Sequence, residues 1–203
     1  VRFRRAQPGE AATCSAIASR LFPQACPDYL PADAIKRFIE EELSEPAFKA
    51  YLADTGNLIL LAEVAPGTPG QEETTWETAG YTLTHVGDPG FLPPEENLVK
   101  AAGENCAYLS KCYLDRRWRG SGLAGALLEV THAYLQERFP HLTKIGLGTN
   151  QGNRRALKFY RHHGYRKCGR RTFLVGGIEN QDLIAVRDFT AHQVPSWAQN
   201  VAQ

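Results

Sequence analysis

The 203-residue sequence has no methionine, no C-x-x-C pair, and no apolar run near the ~20 residues a membrane-spanning helix needs. The first segment, "VRFRRAQPGE", also lacks the apolar stretch of a secretory signal. These absences set aside a membrane partner and lead us to expect a cytoplasmic protein. Five cysteines is an odd number, and their spacing fits neither a disulfide framework nor a zinc knuckle, so reduced, packed thiols are expected. There is no Gly-Lys-Ser/Thr, which removes the P-loop.

Excess charge of one sign is missing too, but the net of +1 hides a split. Residues 1–100 hold 8 Lys and Arg against 15 Asp and Glu; residues 101–203 hold 15 against 7. The basic half suits a phosphate-bearing ligand and the acidic half suits a cation. Length and a 43% hydrophobic content fit one domain with a full core.

The order of patterns is mixed α/β. "VRFRRAQ", "NLILLAEVA", "TAGYTLTHV", the run Asn105 to Leu114 and "TKIGLGT" read as strands. "PGEAATCSAIASRLF", "ADAIKRFIEEELSEPAFKAYLAD" (interrupted at Pro46), Leu123 to Arg138 and "NRRALKFYRHHG" read as helices. "RRTFLVGG" and "QDLIAVRDF" pair as a closing hairpin, while "PGTPGQEE" and "GDPGFLPPEEN" are turn and loop. The reading is one domain over residues 1–190, a central sheet flanked by helices, with 191–203 as a tail.

The richest segment is "RRWRGSGLAGALL", Arg116 to Leu128, which contains a G-x-G-x-x-G between a strand and a helix. That pattern suggests a dinucleotide site, yet five residues, Asp115 to Arg119, separate it from the strand. The next strand ends "LGTNQGN", with no acid for a ribose. What survives is a backbone nest at a helix N-terminus. Gly120 and Gly122 let successive N–H groups face a pyrophosphate, and Arg117 and Arg119 add charge.

With these residues in place, the sequence resembles the GCN5-related N-acetyltransferase (GNAT) family. Arg117-x-x-Gly120-x-Gly122 with Ala124 is similar to its acetyl-CoA motif. "NRRALKFYRHHGY" is similar to its second motif through Asn153, Ala156, Tyr160, Gly164 and Tyr165. The resemblance implies a twisted mixed sheet, acetyl-CoA as co-substrate, no metal, and transfer of an acetyl group to a primary amine. It implies that Arg117 and Arg119, Gly120, Ser121, Gly122, Leu123 and Ala124 hold the pyrophosphate. Cys112, Tyr113 and Leu114 would polarise the thioester, Asn153 would bond the pantetheine arm, and Tyr160 would serve there as general acid. A looser likeness, carried by "PADAIKRFIEEELSEPAFKAYLAD" and the "TFLVGG…QDLI" ending, is to the bacterial spermidine/spermine acetyltransferase branch.

One departure is chemical. Relatives often carry a Glu on the fourth strand as general base, and Tyr108 and Ser110 stand at the matching positions. An alkylamine with a pKa of ~10.4 is nucleophilic in only about one molecule in two thousand at pH 7. His85, at the end of the third strand, is the nominated base. The missing Glu also leaves open a domain that binds acyl-CoA as a sensor without catalysis.

The eight Lys and Arg of "RRALKFYRHHGYRKCGRR" could face RNA, but no RNA-binding motif accompanies them, and coenzyme A explains the same charge. His162, His163 and Cys168 fit no zinc spacing. The expected acceptor is a small cationic, polyamine-like amine. That expectation rests on Glu40, Glu41, Glu42 and Glu45, with Asp28 and Tyr29 in the loop before them. No nucleic-acid partner is expected, and oligomeric state, a homodimer included, is left open.

Overall fold

A computed structural model describes residues 1–65, 76–87 and 105–189. Most of the two turn-and-loop segments and the 191–203 tail lie outside the described residues. Strand β1 (Arg2–Arg5) leads through a short 3-10 turn (Pro8–Glu10) to α1 (Ala11–Leu21). Helices α2 (Ala32–Glu42) and α3 (Glu45–Ala53) follow, then β2 (Asn57–Val64), β3 (Glu77–Val86) and β4 (Cys106–Leu114). The remainder is α4 (Leu123–Arg138), β5 (Lys144–Asn150), α5 (Arg154–His162), β6 (Arg166–Val175) and β7 (Ile178–Asp188). The strands form one sheet in the order β1-β2-β3-β4-β5-β7-β6. Among the described strands only β4 and β5 pair in parallel; α4 crosses between them, as a parallel pair requires.

The run "NLILLAEV" is apolar almost throughout because both faces of β2 are covered. Leu58, Leu60, Ala62 and Val64 join the core under α4. Ile59 and Leu61 join the core under α1, α2 and α3. Glu63 is the exception. Its buried carboxylate accepts from Arg2 Nε at 2.6 Å and from Arg4 at 2.8 Å, and Arg4 also binds Glu10, so a single ionic knot fastens β1 to the sheet.

Two element boundaries differ from the sequence reading. The α2–α3 interruption falls at Leu43 and Ser44, ahead of Pro46. The Ser44 hydroxyl accepts from Ala47 N, and Pro46 sits in the first turn of α3, where no helical N–H is lost. The closing hairpin is longer than "RRTFLVGG" suggests, because β6 starts at Arg166. β6 is an edge strand, so Arg166, Lys167 and Arg170 stay exposed to water while its backbone pairs with β7.

The hairpin turn is Gly176–Gly177, with φ of +52° and +84°. Both angles are the left-handed values that a two-residue turn needs. A side chain at Gly176 would also collide with the Ala34 backbone of α2. The hairpin tip therefore docks on α2, bringing Phe173 to 6.0 Å from Phe38, ring centre to ring centre.

Candidate active site

The site begins where two strands part. β4 pairs with β5 only over Cys106–Tyr108 and Lys144–Gly146. Beyond that point β4 stays with β3 as far as Leu114, and β5 stays with β7 as far as Asn150. Each strand then has one unpaired edge facing the other, and a cavity of about 820 Å³ fills the wedge. That volume suits a sizeable organic ligand. A bulge opens the wedge further: Leu83 pairs with Lys111 and Thr84 with Leu109, leaving Ser110 as the extra residue.

One end of the cavity is built for an anion. Gly120 and Gly122 line it with φ of +80° and +84°, and Gly122 caps α4. Only glycine holds such angles cheaply, and here they turn the backbone around the helix N-terminus, where the dipole favours negative charge. Ala124 lies in the same wall. Arg119 and Arg155 both line this end. Desolvation, and then the positive charge of Arg155, lower the Arg119 pKa, so an anion placed here would relieve a repulsion. Trp118, also in the wall, carries a buried indole N–H with no partner among the described residues. A nest, two cations and an unsatisfied donor fit a pyrophosphate-bearing ligand.

Three expected contacts are not made there by side chains. Arg117 does not line the cavity: its guanidinium is bound to Asp115 at 2.9 Å and to Glu77. Arg20 holds the same Asp115, whose carboxyl falls to a pKa of about 2 chiefly through its hydrogen bond from Arg117. Arg117 thus braces the turn before the nest. Ser121 donates to Trp118 O at 2.6 Å and accepts from Leu123 N at 3.3 Å, and the Leu123 side chain is core. Ser121 and Leu123 shape the loop from behind.

Midway along the wedge, Cys112, Tyr113 and Leu114 line the cavity on the open edge of β4. Across from them stand Asn153 and Tyr160 on α5 and its cap. Asn153 Oδ1 caps the helix by accepting from Ala156 N at 3.1 Å, which leaves its amide NH₂ as the group that can donate to a pantetheine arm. Tyr160 stands beside the Cys112 thiol, and each shifts the other's pKa. Burial, then Cys112 and Tyr165, push the Tyr160 hydroxyl well above its ordinary pKa, so it remains protonated. Burial likewise pushes the Cys112 thiol up to about 11 and keeps it neutral.

On the other face of the wedge, His85 lies behind the wall and Ser110 lies in it. Asn57 Nδ2 donates to Tyr51 O at 3.1 Å, which turns Asn57 Oδ1 toward His85 Nδ1 at 2.7 Å. The ring proton therefore sits on Nδ1, and the Nε2 lone pair accepts from the Ser110 hydroxyl at 2.8 Å. Ser110 was noticed in the sequence only as the place of an absent glutamate; the bulge makes it a functional candidate. Arg155 was missed as an individual residue, though the basic run "NRRALK" was the signal for it.

The acidic residues expected to greet the acceptor do not line the cavity. Glu40 is 3.7 Å from Lys36 and Glu45 is 3.0 Å from Lys49, both pairs on exposed helix surface. Glu42 accepts from the Tyr51 hydroxyl at 3.2 Å, and Glu41 is exposed. Helix spacing faces Glu40, Glu41 and Glu42 outward because Ala34 and Phe38 take the inner face of α2, while Glu45 opens α3. Tyr29 of the preceding loop is also largely exposed, although its hydroxyl donates to Asn180 Oδ1 at 2.6 Å.

Residues 32–165 match the family described as "Acetyltransferase (GNAT) family". Uncharacterised N-acetyltransferases of Mycobacterium bovis and of two Mycobacterium tuberculosis strains are each 30% identical to the chain over 174 residues, covering 86% of it and 94% of theirs. Among solved structures, the PaiA N-acetyltransferase of Thermoplasma acidophilum in complex with coenzyme A superposes with a TM-score of 0.67 at 14% identity, over 93% of this chain and 98% of that one. Arabidopsis thaliana NAA60 in complex with acetyl-CoA gives 0.65 at 17% identity, again over 93% and 98%. The fold is thus shared with proteins solved in complex with coenzyme A or acetyl-CoA, and the chain belongs to the acetyltransferase (GNAT) family, as an acetyl-CoA-dependent N-acetyltransferase.

Proposed function

We propose that the chain acetylates a small primary amine by direct attack, with Tyr160 as general acid and Ser110 and His85 as the route for the amine's proton. The observation that carries this reading is the hydrogen-bonded line Ser110–His85–Asn57, which ends on the cavity wall at the β4 bulge. Acetyl-CoA supplies the acetyl group and the leaving sulfur.

The chain's own residues then have separable tasks. Gly120, Gly122, Arg119 and Arg155 hold the pyrophosphate, and the open edge of β4 at Cys112, Tyr113 and Leu114 offers backbone donors to the thioester oxygen. Asn153 offers its NH₂ to the pantetheine arm. The Ser110 oxygen accepts the proton leaving the amine while its own proton passes to His85 Nε2, and Asn57 holds the ring in the receptive tautomer. Tyr160, kept protonated by burial, donates to the departing sulfur.

A polyamine acceptor has the acidic exterior of α2 in its favour, since such a surface raises the local concentration of cations. No carboxylate of α2 stands in the cavity wall; Glu129 and Asp182 do, the first held by His163 and Arg187 and the second beside Arg171. The test is calorimetric titration of acetyl-CoA, and separately of NADH, followed by thiol release across a panel of amines. The reading predicts acetyl-CoA binding and amine-dependent thiol release. Binding without release by any amine would favour the sensor role.

A further inference from the structure

Lys111 follows Ser110 on β4 and lines the cavity on the same face, yet it is only 8% exposed. Among the described residues its ammonium makes no hydrogen bond and no ion pair, and it lies 5.5 Å from the centre of the Phe38 ring. Burial lowers its pKa to about 8, Arg171 pushes the same way, and Glu42 opposes from outside. A buried cation without a paired anion is costly unless something supplies the missing counter-charge.

The surrounding wall does not supply it. Asp182, 6% exposed, lies 3.7 Å from Arg171, which also donates to the Tyr108 hydroxyl at 2.9 Å. Asp182 is paired with Arg171, and burial raises its carboxyl to about 6, so the Lys111 ammonium stands in the cavity wall without a paired carboxylate among the described residues. We propose that this charge reads the acceptor: the substrate is an amine that also bears an anionic group, a carboxylate, which pairs with Lys111. The inference rests on the acetyltransferase reading and names its substrate class. Consecutive Cα atoms are ~3.8 Å apart, so a nitrogen at Ser110 and a carboxylate at Lys111 belong to one compact molecule with few bonds between them. Phe38 and Phe173 supply an apolar wall for the short chain that joins the two groups.

The pairing also accounts for the acidic exterior. Glu40, Glu41 and Glu45 sit on exposed surface and Glu42 reaches Lys111 only at long range, so they can draw in the ammonium end without competing for the inner cation.

The experiment compares short amino acids (glycine, β-alanine, 4-aminobutyrate and the side-chain acids) with their carboxamides, in wild type, Lys111→Met and Lys111→Arg. Calorimetry with coenzyme A checks that each variant is folded, and also tests the coenzyme site independently. Thiol release then gives kcat/KM for each amine. Wild type is expected to favour the carboxylate over its amide by on the order of 30-fold in at least one pair. Lys111→Met should bring that ratio to about one, and Lys111→Arg should restore part of it. A wild type that binds coenzyme A but turns over amides as well as carboxylates, or no carboxylate at all, overturns the inference. So does a Lys111→Met ratio equal to that of wild type. Failure to bind coenzyme A would instead remove the acetyltransferase reading beneath it.

Discussion

The Ser110 hydroxyl lies 2.8 Å from His85 Nε2, joining a residue of the cavity wall to a histidine that the wall hides. The bond exists because the β4 bulge leaves Ser110 out of register with β3, swinging it toward the strand that carries His85. Removing either partner should cost the same proton route. Ser110→Ala and His85→Gln are each expected to lower kcat by about 10²-fold, and the double variant by no more than the worse single. Acetyl-CoA affinity, measured in parallel, should hold. Additive losses would mean that the two residues do not act as one path.

Tyr160→Phe removes the proton donor while keeping the ring that packs on Tyr165, whose centre is 5.5 Å away. A fall in kcat of ~10²–10⁴-fold with little change in acetyl-CoA affinity is expected. Normal turnover would make Tyr160 a packing residue beside Cys112.

The anion end separates two arginines that the sequence does not distinguish. Arg155→Ala should weaken coenzyme A by about 1.5–3 kcal/mol, the range for a hydrogen bond to a charged group. Arg117→Ala should leave that affinity nearly as it is, because the Arg117 guanidinium is held by Asp115 and Glu77. Calorimetric titration of coenzyme A into both variants checks the contrast, and the reverse order would return the pyrophosphate to Arg117.

His132 gives a stability prediction. It is buried, with Tyr165 Oη 2.8 Å from Nε2, and Arg187, Glu129 and His163 gathered around it. Burial is the main reason its pKa falls to about 4 from the ordinary 6.5. The folded state thus keeps His132 neutral while the unfolded chain takes up a proton. Its contribution to stability is present above pH 6.5 and is lost as pH falls toward 4. A shift of this size corresponds to about 3 kcal/mol. Glu129, held well below its usual pKa by His132, His163 and Arg187, adds a further loss at lower pH. Urea unfolding between pH 7.5 and 4.5 should show a falling midpoint in wild type and a flatter one in His132→Gln.

The elements were legible in the sequence where a local pattern coincided with a physical stop. Leu123 to Arg138 has its bounds written by Gly122 before it and Pro140 after it, and the structure agrees residue for residue. The α2–α3 break was displaced because Pro46 reads as a helix breaker, whereas a proline in a first turn is harmless and Ser44 is the true start. The nest glycines were legible because only backbone angle is at stake there. Motif position cannot show that Asp115 and Glu77, the latter on another strand, hold the Arg117 guanidinium. Ser110 and Lys111 were beyond reach for the same reason: a bulge is a property of strand pairing, and neither residue announces one. Charge counts locate the acid along the sequence, but which face of α2 carries it depends on Phe38 and Ala34 facing the core.

The most direct test of acetyl transfer at this wedge uses acetyl-CoA with an isotopically labelled acetyl group and a mixture of primary amines, read by mass spectrometry. Wild type should place the label on an amine nitrogen, and the Ser110→Ala, Tyr160→Phe double variant should bind acetyl-CoA yet leave the amines almost unlabelled. Label that appears only as free acetate, or equally on amines with both proteins, would contradict the account.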